Sequence, residues 1–302
     1  MLRPQSIKID FPELQQAVAM DQTFRPSPNR DWLELGRPGR ITHRQAELPI
    51  RGLHSSLDGL RILHLSDLHM RRRWHRAYDR LLADIQSNVP DLILFTGDFV
   101  ECKFDHRPAL PYLQRFVKGL AAKHGIFAIL GNHDPDIVRP YVAEHGVVMV
   151  THRIVTVKIG DGEVEIIGLP GLSRADLDMD FIRSVPPPRQ GVPRIVLSHY
   201  PDYFPAARNL QMDLFLGGHT HGGQVCFPNG KPVITHDSMP HTFCKGVHRI
   251  GRTWFAVNNG LGFSGVMVRM FCPSEIGEFT LRCGTEDPVR RLRLPQPASP
   301  EK

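Results

Sequence analysis

The chain has 302 residues, of which 41% are hydrophobic and 23% are charged, and its 37 basic and 31 acidic residues leave a net charge of +6. This length suits one large domain, and because no apolar run approaches the ~20 residues of a membrane-spanning helix, we expect no transmembrane segment. The positive charge favours anionic partners such as phosphate esters, nucleic acid or an acidic membrane surface.

The first 40 residues are expected to form an N-terminal arm with one short amphipathic helix at residues 11–20. They lack the charged-then-apolar pattern of a secretory signal and contain no twin-arginine pair. The five cysteines are scattered, odd in number and without CxxC spacing, which favours reduced thiols. We therefore expect a cytoplasmic protein, with peripheral contact to an anionic membrane as an open alternative.

Residues 41–283 alternate between apolar runs of strand length and stretches of helical period, which predicts one layered α/β domain. Strands are expected at residues 40–50, 60–65, 92–96, 126–130, 147–150, 154–159, 164–168, 194–197, 213–216, 254–257 and 278–282. Helices are expected at residues 74–88, 110–123, 176–184 and 202–210. From residue 284 to residue 302 the chain mixes Pro, Arg and charge, so we expect a flexible tail.

Polar side chains follow five of these strands at the points where the strands end. They are Asp67 and His69, then Asp98, then Asn132, His133 and Asp134, then His199, and finally His219 and His221. Open α/β sheets place their sites outside the carboxyl ends of their strands, so these residues can converge. Carboxylates, imidazoles and an amide oxygen suit Mn, Fe or Zn ions, and two such ions ~3.5–4 Å apart can activate a water and clamp a phosphoryl group.

The stretch from Gly217 to Gln224 contains the last two of these histidines. On an extended backbone, His219 and His221 would point to the same face, and the flanking glycines would leave room for a bulky group. Two histidines in a Gly-rich turn are equally consistent with a simple polar loop. The other four blocks of polar residues favour the metal site.

The order Asp-x-His, Gly-Asp, Gly-Asn-His-Asp, His and Gly-His-x-His resembles the calcineurin-like metallophosphoesterase family across residues 41–283. The resemblance implies a four-layer α-β-β-α sandwich, in which two mixed sheets are flanked by helices and the metals lie at the carboxyl ends of the strands. It implies one metal held by Asp67, His69, Asp98 and His221. It implies a second metal held by Asp98, Asn132, His199 and His219. His133 would contact the phosphate and protonate the leaving oxygen, with Asp134 steadying it.

Finer features narrow the resemblance to bacterial phosphodiesterases, a group with members likened to UDP-diacylglucosamine hydrolases and lipid-active phosphoesterases. These features are Ser66-Asp-Leu-His69, His199-Tyr-Pro-Asp202, the segment from Gly218 to Gln224, and Asn259-Gly-Leu-Gly262. The expected function is a dinuclear metal-dependent phosphoesterase that hydrolyses phosphodiester or pyrophosphate bonds. The alternatives are a nuclease or nucleotide phosphodiesterase, and a non-catalytic protein-binding scaffold.

A basic run lies directly after the first metal motif and consists of Arg71, Arg72, Arg73 and Arg76, with Trp74 among them. Such a run is usually a solvated helix start. Its position beside the site makes recognition of a second phosphate or a lipid headgroup the competing hypothesis, so the substrate could be lipid-linked or contain a nucleotide. A nucleic-acid partner is not favoured, because the sequence has no long basic stripe with interleaved aromatics.

Overall fold

The computed structural model describes residues 18–19, 32–169, 175–235 and 237–284. These residues form fifteen strands and five α-helices. The strands are β1 (Val18–Ala19), β2 (Leu33–Leu35), β3 (Thr42–Ile50), β4 (Arg61–Leu65), β5 (Leu92–Phe95), β6 (Ile126–Ala128), β7 (Val147–Met149), β8 (Ile154–Ile159), β9 (Gly162–Leu169), β10 (Arg194–Ser198), β11 (Leu214–Gly217), β12 (Gly246–Ile250), β13 (Thr253–Val257), β14 (Val268–Met270) and β15 (Glu275–Cys283). The helices are α1 (Arg76–Ser87), α2 (Leu110–Gly119), α3 (Val138–Ala143), α4 (Ala175–Ser184) and α5 (Phe204–Ala207).

Two mixed sheets carry most of these strands. One has six strands in the order β3-β15-β4-β5-β6-β7, and the other has seven in the order β1-β12-β13-β11-β10-β9-β8. The pairs β4–β5, β5–β6 and β10–β11 are parallel, whereas β15–β4 and β12–β13 are antiparallel. A small third sheet pairs β14 with β2.

Three apolar cores separate four layers. One core lies between the two sheets, a second lies between the six-stranded sheet and helices α1 to α3, and a third lies between the seven-stranded sheet and helices α4 and α5. Strand β5 contributes to two of these cores. Leu92 and Leu94 face the inter-sheet core, while Ile93 and Phe95 face the helices. A strand buried on both faces must be apolar at every position, and β5 is. The predicted α-β-β-α sandwich is confirmed.

The expected helix at residues 11–20 is wrong where the structure describes it. Val18 and Ala19 form β1, which pairs antiparallel with His248 and Arg249 of β12. Backbone pairing with the seven-stranded sheet therefore makes these two residues a strand rather than the end of a helix. The expected helix at residues 202–210 is broken into three short pieces. They are a 3-10 turn (Pro201–Tyr203), α5 and a second 3-10 turn (Arg208–Leu210), and a proline lies in the first turn of each of the first two.

Part of the predicted arm is hydrogen-bonded to the domain. Strand β2 pairs with β14, and the buried carboxylate of Glu34 accepts bonds from the backbone and the hydroxyl of Ser274. Apart from Gly284, the predicted tail lies outside the described residues. Among the described helices, none has both the length and the apolar character to cross a bilayer.

Candidate metal centre

The predicted site residues meet at one edge of the sandwich, where strands of both sheets end. Asp67 and Asp98 follow β4 and β5 of the six-stranded sheet, and His199 and His219 follow β10 and β11 of the other sheet. Since each of these pairs of strands is parallel, their carboxyl ends lie on the same side. Nε2 of His199 is 3.3 Å from Oδ2 of Asp98, so the cluster joins the two sheets.

The first group of possible metal ligands consists of Asp67, His69 and His221. Nε2 of His221 is 3.0 Å from Nε2 of His69 and 3.6 Å from Oδ1 of Asp67. All three residues are buried. Two imidazole nitrogens and a carboxylate oxygen are thus directed at a common point, as a divalent cation requires.

The second group is built around Asp98, Asn132, His199 and His219. Oδ1 of Asn132 is 2.9 Å from Nε2 of His199 and 3.1 Å from Nδ1 of His219. Oδ2 of Asp98 is close to His199 of this group and also 3.4 Å from Nε2 of His69 in the first group. Asp98 therefore lies between the two groups, and the structure brings all seven predicted ligands together.

Left-handed backbone conformations are concentrated in this cluster. Of the nine non-glycine residues with positive φ in the described chain, six belong to the site region, namely Asp67, His69, Asp98, His219, His221 and Gln224. For most side chains this conformation costs free energy and persists only where the surrounding structure enforces it. Its concentration here indicates that the fold is organised to present these side chains.

His219 and His221 do not converge in the way that the sequence suggests. Strand β11 ends at Gly217, and φ is 67° at His219 and 51° at His221, where a short 3-10 turn begins. The two rings are aimed by a tight turn rather than by an extended backbone. The turn approaches the first motif so closely that a Cβ on Gly218 would overlap with Oγ of Ser66 and lie 2.6 Å from Oδ2 of Asp67.

Burial and mutual charge determine the protonation preferences of the cluster. Burial lowers the pKa of a histidine, yet the neighbouring carboxylates, Asp67 foremost, raise the pKa of His69 to about 10. The carboxylate of Asp98 likewise raises the pKa of His199 to about 9. Against burial, the surrounding imidazoles hold the pKa of Asp67 and of Asp98 below the usual range. The buried carboxylates therefore require positive charge beside them, and an N/O donor set of this kind fits divalent metal ions as its source.

Glu101 supports the site and is not part of the motif pattern. Its Oε2 is 2.6 Å from Nδ1 of His69, and its Oε1 is 2.6 Å from Nη2 of Arg71. Its backbone carbonyl accepts a hydrogen bond from Nδ1 of His133 at 2.6 Å. One residue thus contacts a candidate ligand, the candidate acid and the start of the basic run. In the sequence, only its position three residues after Asp98 indicates that Glu101 could contact the site.

His221 is supported by a second residue that the motifs do not reveal. The guanidinium of Arg269, on β14, is fully buried and lies 3.0 Å from Nδ1 of His221. It also donates to the carbonyls of Asn259 and Gly262, while the amide of Gly262 donates to the carbonyl of Asp67. Arg269 therefore joins the turn around His221 to the Asn259–Gly262 loop and, through that loop, to the first motif.

The contacts of Asp134 correct the expectation that it steadies His133. The Asp134 carboxylate accepts hydrogen bonds from the backbone amides of Gly131 and Val100, so it stabilises the turn rather than the ring. Burial, reinforced by the charge of Asp98, raises the pKa of Asp134 to about 7. The carbonyl of Glu101 orients the His133 ring instead, and the His133 amide donates to Oδ1 of Asp98 at 2.8 Å.

The basic run is brought only partly to the site. Arg71 reaches Glu101, whereas Arg72 pairs with Asp105 on the surface, and Arg73 and Arg76 are exposed. Trp74 is half-buried, and the guanidinium of Arg115 lies 4.1 Å from the centre of its ring. One face of that ring is therefore covered, and Arg71 is the member of the run nearest the metal cluster.

Comparisons with known proteins find metallophosphoesterases and phosphodiesterases that are similar to this chain. The uncharacterized metallophosphoesterase YkuE of Bacillus subtilis is 29% identical over 235 residues, covering 74% of this chain and 80% of YkuE. The phosphodiesterase YaeI of Escherichia coli is 27% identical over 226 residues, covering 72% of this chain and 80% of YaeI. A solved archaeal phosphodiesterase aligns with a TM-score of 0.34 and 15% identity, over 67% of this chain and 84% of that one.

A family model described as calcineurin-like phosphoesterase matches residues 60–223. The matched segment contains every residue of the two groups of possible ligands, from Asp67 to His221, together with His133. Since it spans more than half of the chain, the protein belongs to the calcineurin-like phosphoesterase family.

Proposed function

We propose that the protein is a dinuclear metal-dependent phosphodiesterase that hydrolyses phosphodiester or pyrophosphate bonds. Family membership makes it a hydrolase of phosphoester bonds, and the related YaeI, named a phosphodiesterase, favours diesters over monoesters. The observation that carries the proposal is the position of Asp98, whose Oδ2 is within 3.4 Å of a histidine from each group of ligands. A carboxylate in this position is suited to bridge two cations.

We propose that the ligands divide between two cations. Asp67, His69, Asp98 and His221 would hold one, and Asp98, Asn132, His199 and His219 would hold the other. Mn, Fe and Zn all accept such nitrogen and oxygen donors. When bound, two cations would supply an activated water and neutralise charge on the phosphoryl group. A non-catalytic scaffold is not favoured, because the complete set of donors is present and clustered.

His133 is proposed as the proton donor to the leaving oxygen. Because its Nδ1 faces the carbonyl of Glu101 at 2.6 Å, Nδ1 carries a proton in either state of the ring. Nε2 is therefore the atom that exchanges a proton, and it can donate only when the ring is an imidazolium. The ring lies 4.8 Å from that of His69, close enough to the cluster to serve a phosphoester held there.

A substrate panel tests this function directly. The wild-type protein, loaded with Mn, Fe or Zn, should hydrolyse bis-p-nitrophenyl phosphate faster than p-nitrophenyl phosphate, and chelation should abolish both activities. Asp98→Asn should lose the activity, while Asp136→Asn, a change at an exposed carboxylate nearby, should retain it. Nucleotides and a single-stranded oligonucleotide in the same panel would identify the nuclease alternative. No metal-dependent turnover of any diester would overturn the proposal.

We also propose that the protein works at an anionic membrane surface, on a substrate presented there. Seven of the ten large, exposed hydrophobic residues of the described chain lie in segments linked to the small sheet, and we name them the apolar surface. They are Trp32, Leu33, Leu35, Phe227, Val233, Ile234 and Val266. Strand β2 pairs with β14, Met270 of β14 bridges to Val225, and the Gln224 side chain donates to the carbonyl of Val266.

The apolar surface adjoins both the metal cluster and the basic run. Gln224 closes the turn that carries His221, and the amide of Gly265 is 3.4 Å from Oε1 of Glu101. The same Oε1 atom pairs with Nη2 of Arg71 at 2.6 Å, so the start of the basic run lies beside the turn at Gly265. Apolar side chains next to arginines suit an interface with anionic lipids, where each basic residue contributes about 1 kcal/mol.

Liposome flotation tests the membrane proposal separately from catalysis. The wild-type protein should float with vesicles containing phosphatidylglycerol and remain unbound with phosphatidylcholine alone. Leu35→Gln combined with Val266→Gln should abolish flotation, whereas Val148→Gln, at an exposed apolar position on the far edge strand β7, should leave it unchanged. Flotation that is absent, or equally weakened by all three substitutions, would refute the membrane contact while leaving the phosphodiesterase proposal intact.

A further inference from the structure

We propose that a one-way relay of buried hydrogen bonds positions the carboxylate of Asp67. The relay consists of His64, Thr96 and Ser66. Nε2 of His64 is 2.9 Å from Oγ1 of Thr96, and that oxygen is 2.8 Å from Oγ of Ser66. Oγ of Ser66 is in turn 2.5 Å from Oδ2 of Asp67. Because Asp67 belongs to the proposed metal centre, the role of the relay in metal binding rests on the proposed function.

The relay lies at the end of two neighbouring strands and is closed to solvent. His64 is in β4, Ser66 follows it, and Thr96 follows β5, which pairs with β4 in parallel. All three residues are 0% exposed. Polar groups buried in this way depend on one another for their hydrogen bonds, and a buried network is stable only when its members are satisfied.

The direction of each bond follows from the end of the relay at Asp67. A ligating carboxylate only accepts hydrogen bonds, so the Ser66 hydroxyl donates its single proton to Asp67. The oxygen of Ser66 must then accept from Thr96, and the oxygen of Thr96 must accept from Nε2 of His64. His64 is therefore the Nε2–H tautomer. The opposite direction would leave no proton between the oxygens of Thr96 and Ser66.

The other ring nitrogen of His64 leads to the same tautomer. Within the part of the chain that the structure describes, the buried Nδ1 atom of His64 has no hydrogen-bond partner. Both an imidazolium and the Nδ1–H tautomer would place a proton there without an acceptor, and an unpaired buried charge is especially costly. Burial also lowers the pKa of His64 to about 3, so the ring is neutral at physiological pH.

Thr96 connects the relay with the second group of ligands. Its carbonyl accepts from Nδ1 of His199 at 2.8 Å, which leaves Nε2 of His199 available to a cation. The Asp67 carboxylate also accepts from the backbone amide of His219 at 3.1 Å. Ser66 and this amide together hold the carboxylate in one orientation. Outer hydrogen bonds of this kind typically change metal affinity or activity by ~10–100-fold.

Nitrogen NMR of the full-length wild-type protein tests the direction of the relay without any substitution. Long-range ¹H–¹⁵N correlation distinguishes the two tautomers, because protonated and unprotonated ring nitrogens have well-separated shifts. With or without added zinc, the ring of His64, assigned through its backbone, should be the Nε2–H form from about pH 5 to pH 8. An Nδ1–H form, or a ring that titrates in this range, would overturn the relay.

Replacing Thr96 with valine tests what the relay does for metal binding. Thr96→Val removes the central hydroxyl and keeps the carbonyl that holds His199, so one of two zinc-binding steps should weaken by about 10-fold or more in competition with a chelating dye. Thr96→Ser keeps a hydroxyl and should bind zinc nearly as well as the wild type. The matched control is Thr253→Val. The Thr253 hydroxyl is also buried and donates to the carbonyl of Met212 at 2.9 Å, but it lies at the start of β13, whose other end adjoins the site.

The outcomes separate a positioning role from a purely structural one. Both valine variants should melt at a lower temperature than the wild type, whereas the loss of zinc affinity should be confined to Thr96→Val. Equal zinc affinity in Thr96→Val and Thr253→Val would overturn the positioning role. If Thr96→Val does not fold, the tautomer of His64 in the wild-type protein decides. A wild-type protein that bound no zinc would refute the proposed metal centre, and the NMR result would still confirm or refute the relay itself.

Discussion

Replacing Glu101 with glutamine is the most informative change that the structure suggests. The carboxylate lies 2.6 Å from Nδ1 of His69, which would coordinate the first cation through its other nitrogen. A carboxylate in this position fixes the orientation of a ligating imidazole and increases its basicity. The amide of Glu101→Gln keeps the size of the side chain but removes the charge that His69 and Arg71 share.

The magnitude follows from the role of such supporting groups. Loss of an outer partner of a metal-ligating histidine typically lowers metal affinity or activity by ~10–100-fold. That factor corresponds to about 1.4–2.7 kcal/mol, since each tenfold change is worth about 1.36 kcal/mol. The backbone carbonyl that holds His133 is unaffected by the substitution. We therefore expect weaker metal binding with an unchanged dependence of rate on the leaving group.

Competition with a chelating dye would measure metal affinity in Glu101→Gln and in the wild-type protein. Asp105→Asn is the matched control, because it removes a nearby carboxylate that pairs with Arg72 at the surface. Such exposed pairs contribute little, so its metal affinity should match that of the wild type. Glu101→Asp should recover part of the loss. If Glu101→Gln bound both cations as tightly as the control, the supporting role assigned to Glu101 would be refuted.

Three further changes test other parts of the site. Asp98→Ala should abolish activity and lower bound metal more than Asn132→Ala does, and full metal content by elemental analysis would contradict the bridging role. His133→Ala should keep its metals but lose ~10²–10⁴-fold in kcat. The loss should be smaller for nitrophenyl esters, whose leaving groups need no proton. An equal loss for substrates with good and with poor leaving groups would exclude the acid role. Gly218→Ala should cost ~1–3 kcal/mol of stability and reduce metal content, because its Cβ would displace Asp67; an unchanged melting temperature would contradict this packing.

The layered fold could be predicted because its central strands are short apolar runs between clear boundaries. Leu92–Phe95 follows Pro90 and precedes Gly97, so its limits are visible in the sequence. Strand β12 was not predictable in this way, because it contains His248 and Arg249. Its strand character comes from pairing with β13 across a two-residue turn at Gly251, which is a tertiary constraint rather than a local preference.

The candidate ligands could be predicted from the order of the motifs. The residues that contact and orient those ligands, Glu101 and Arg269, could not. Glu101 contacts His69 only because the backbone turns sharply at His69 and Asp98, where φ is positive. Arg269 comes 48 residues after His221 and reaches it through a strand of the small sheet, which was not predicted. Side chains that support a site from outside its motifs are placed by the packing of distant segments. The spacing of residues in the sequence does not reveal that packing.

In the proposed site, two cations lie on either side of the Asp98 carboxylate. Anomalous diffraction from crystals grown with manganese measures this most directly. The predicted result is two peaks per chain, ~3.5–4 Å apart, one beside His69 and His221 and the other beside His199 and His219. A single peak, or two peaks of which only one contacts Asp98, would contradict the dinuclear site.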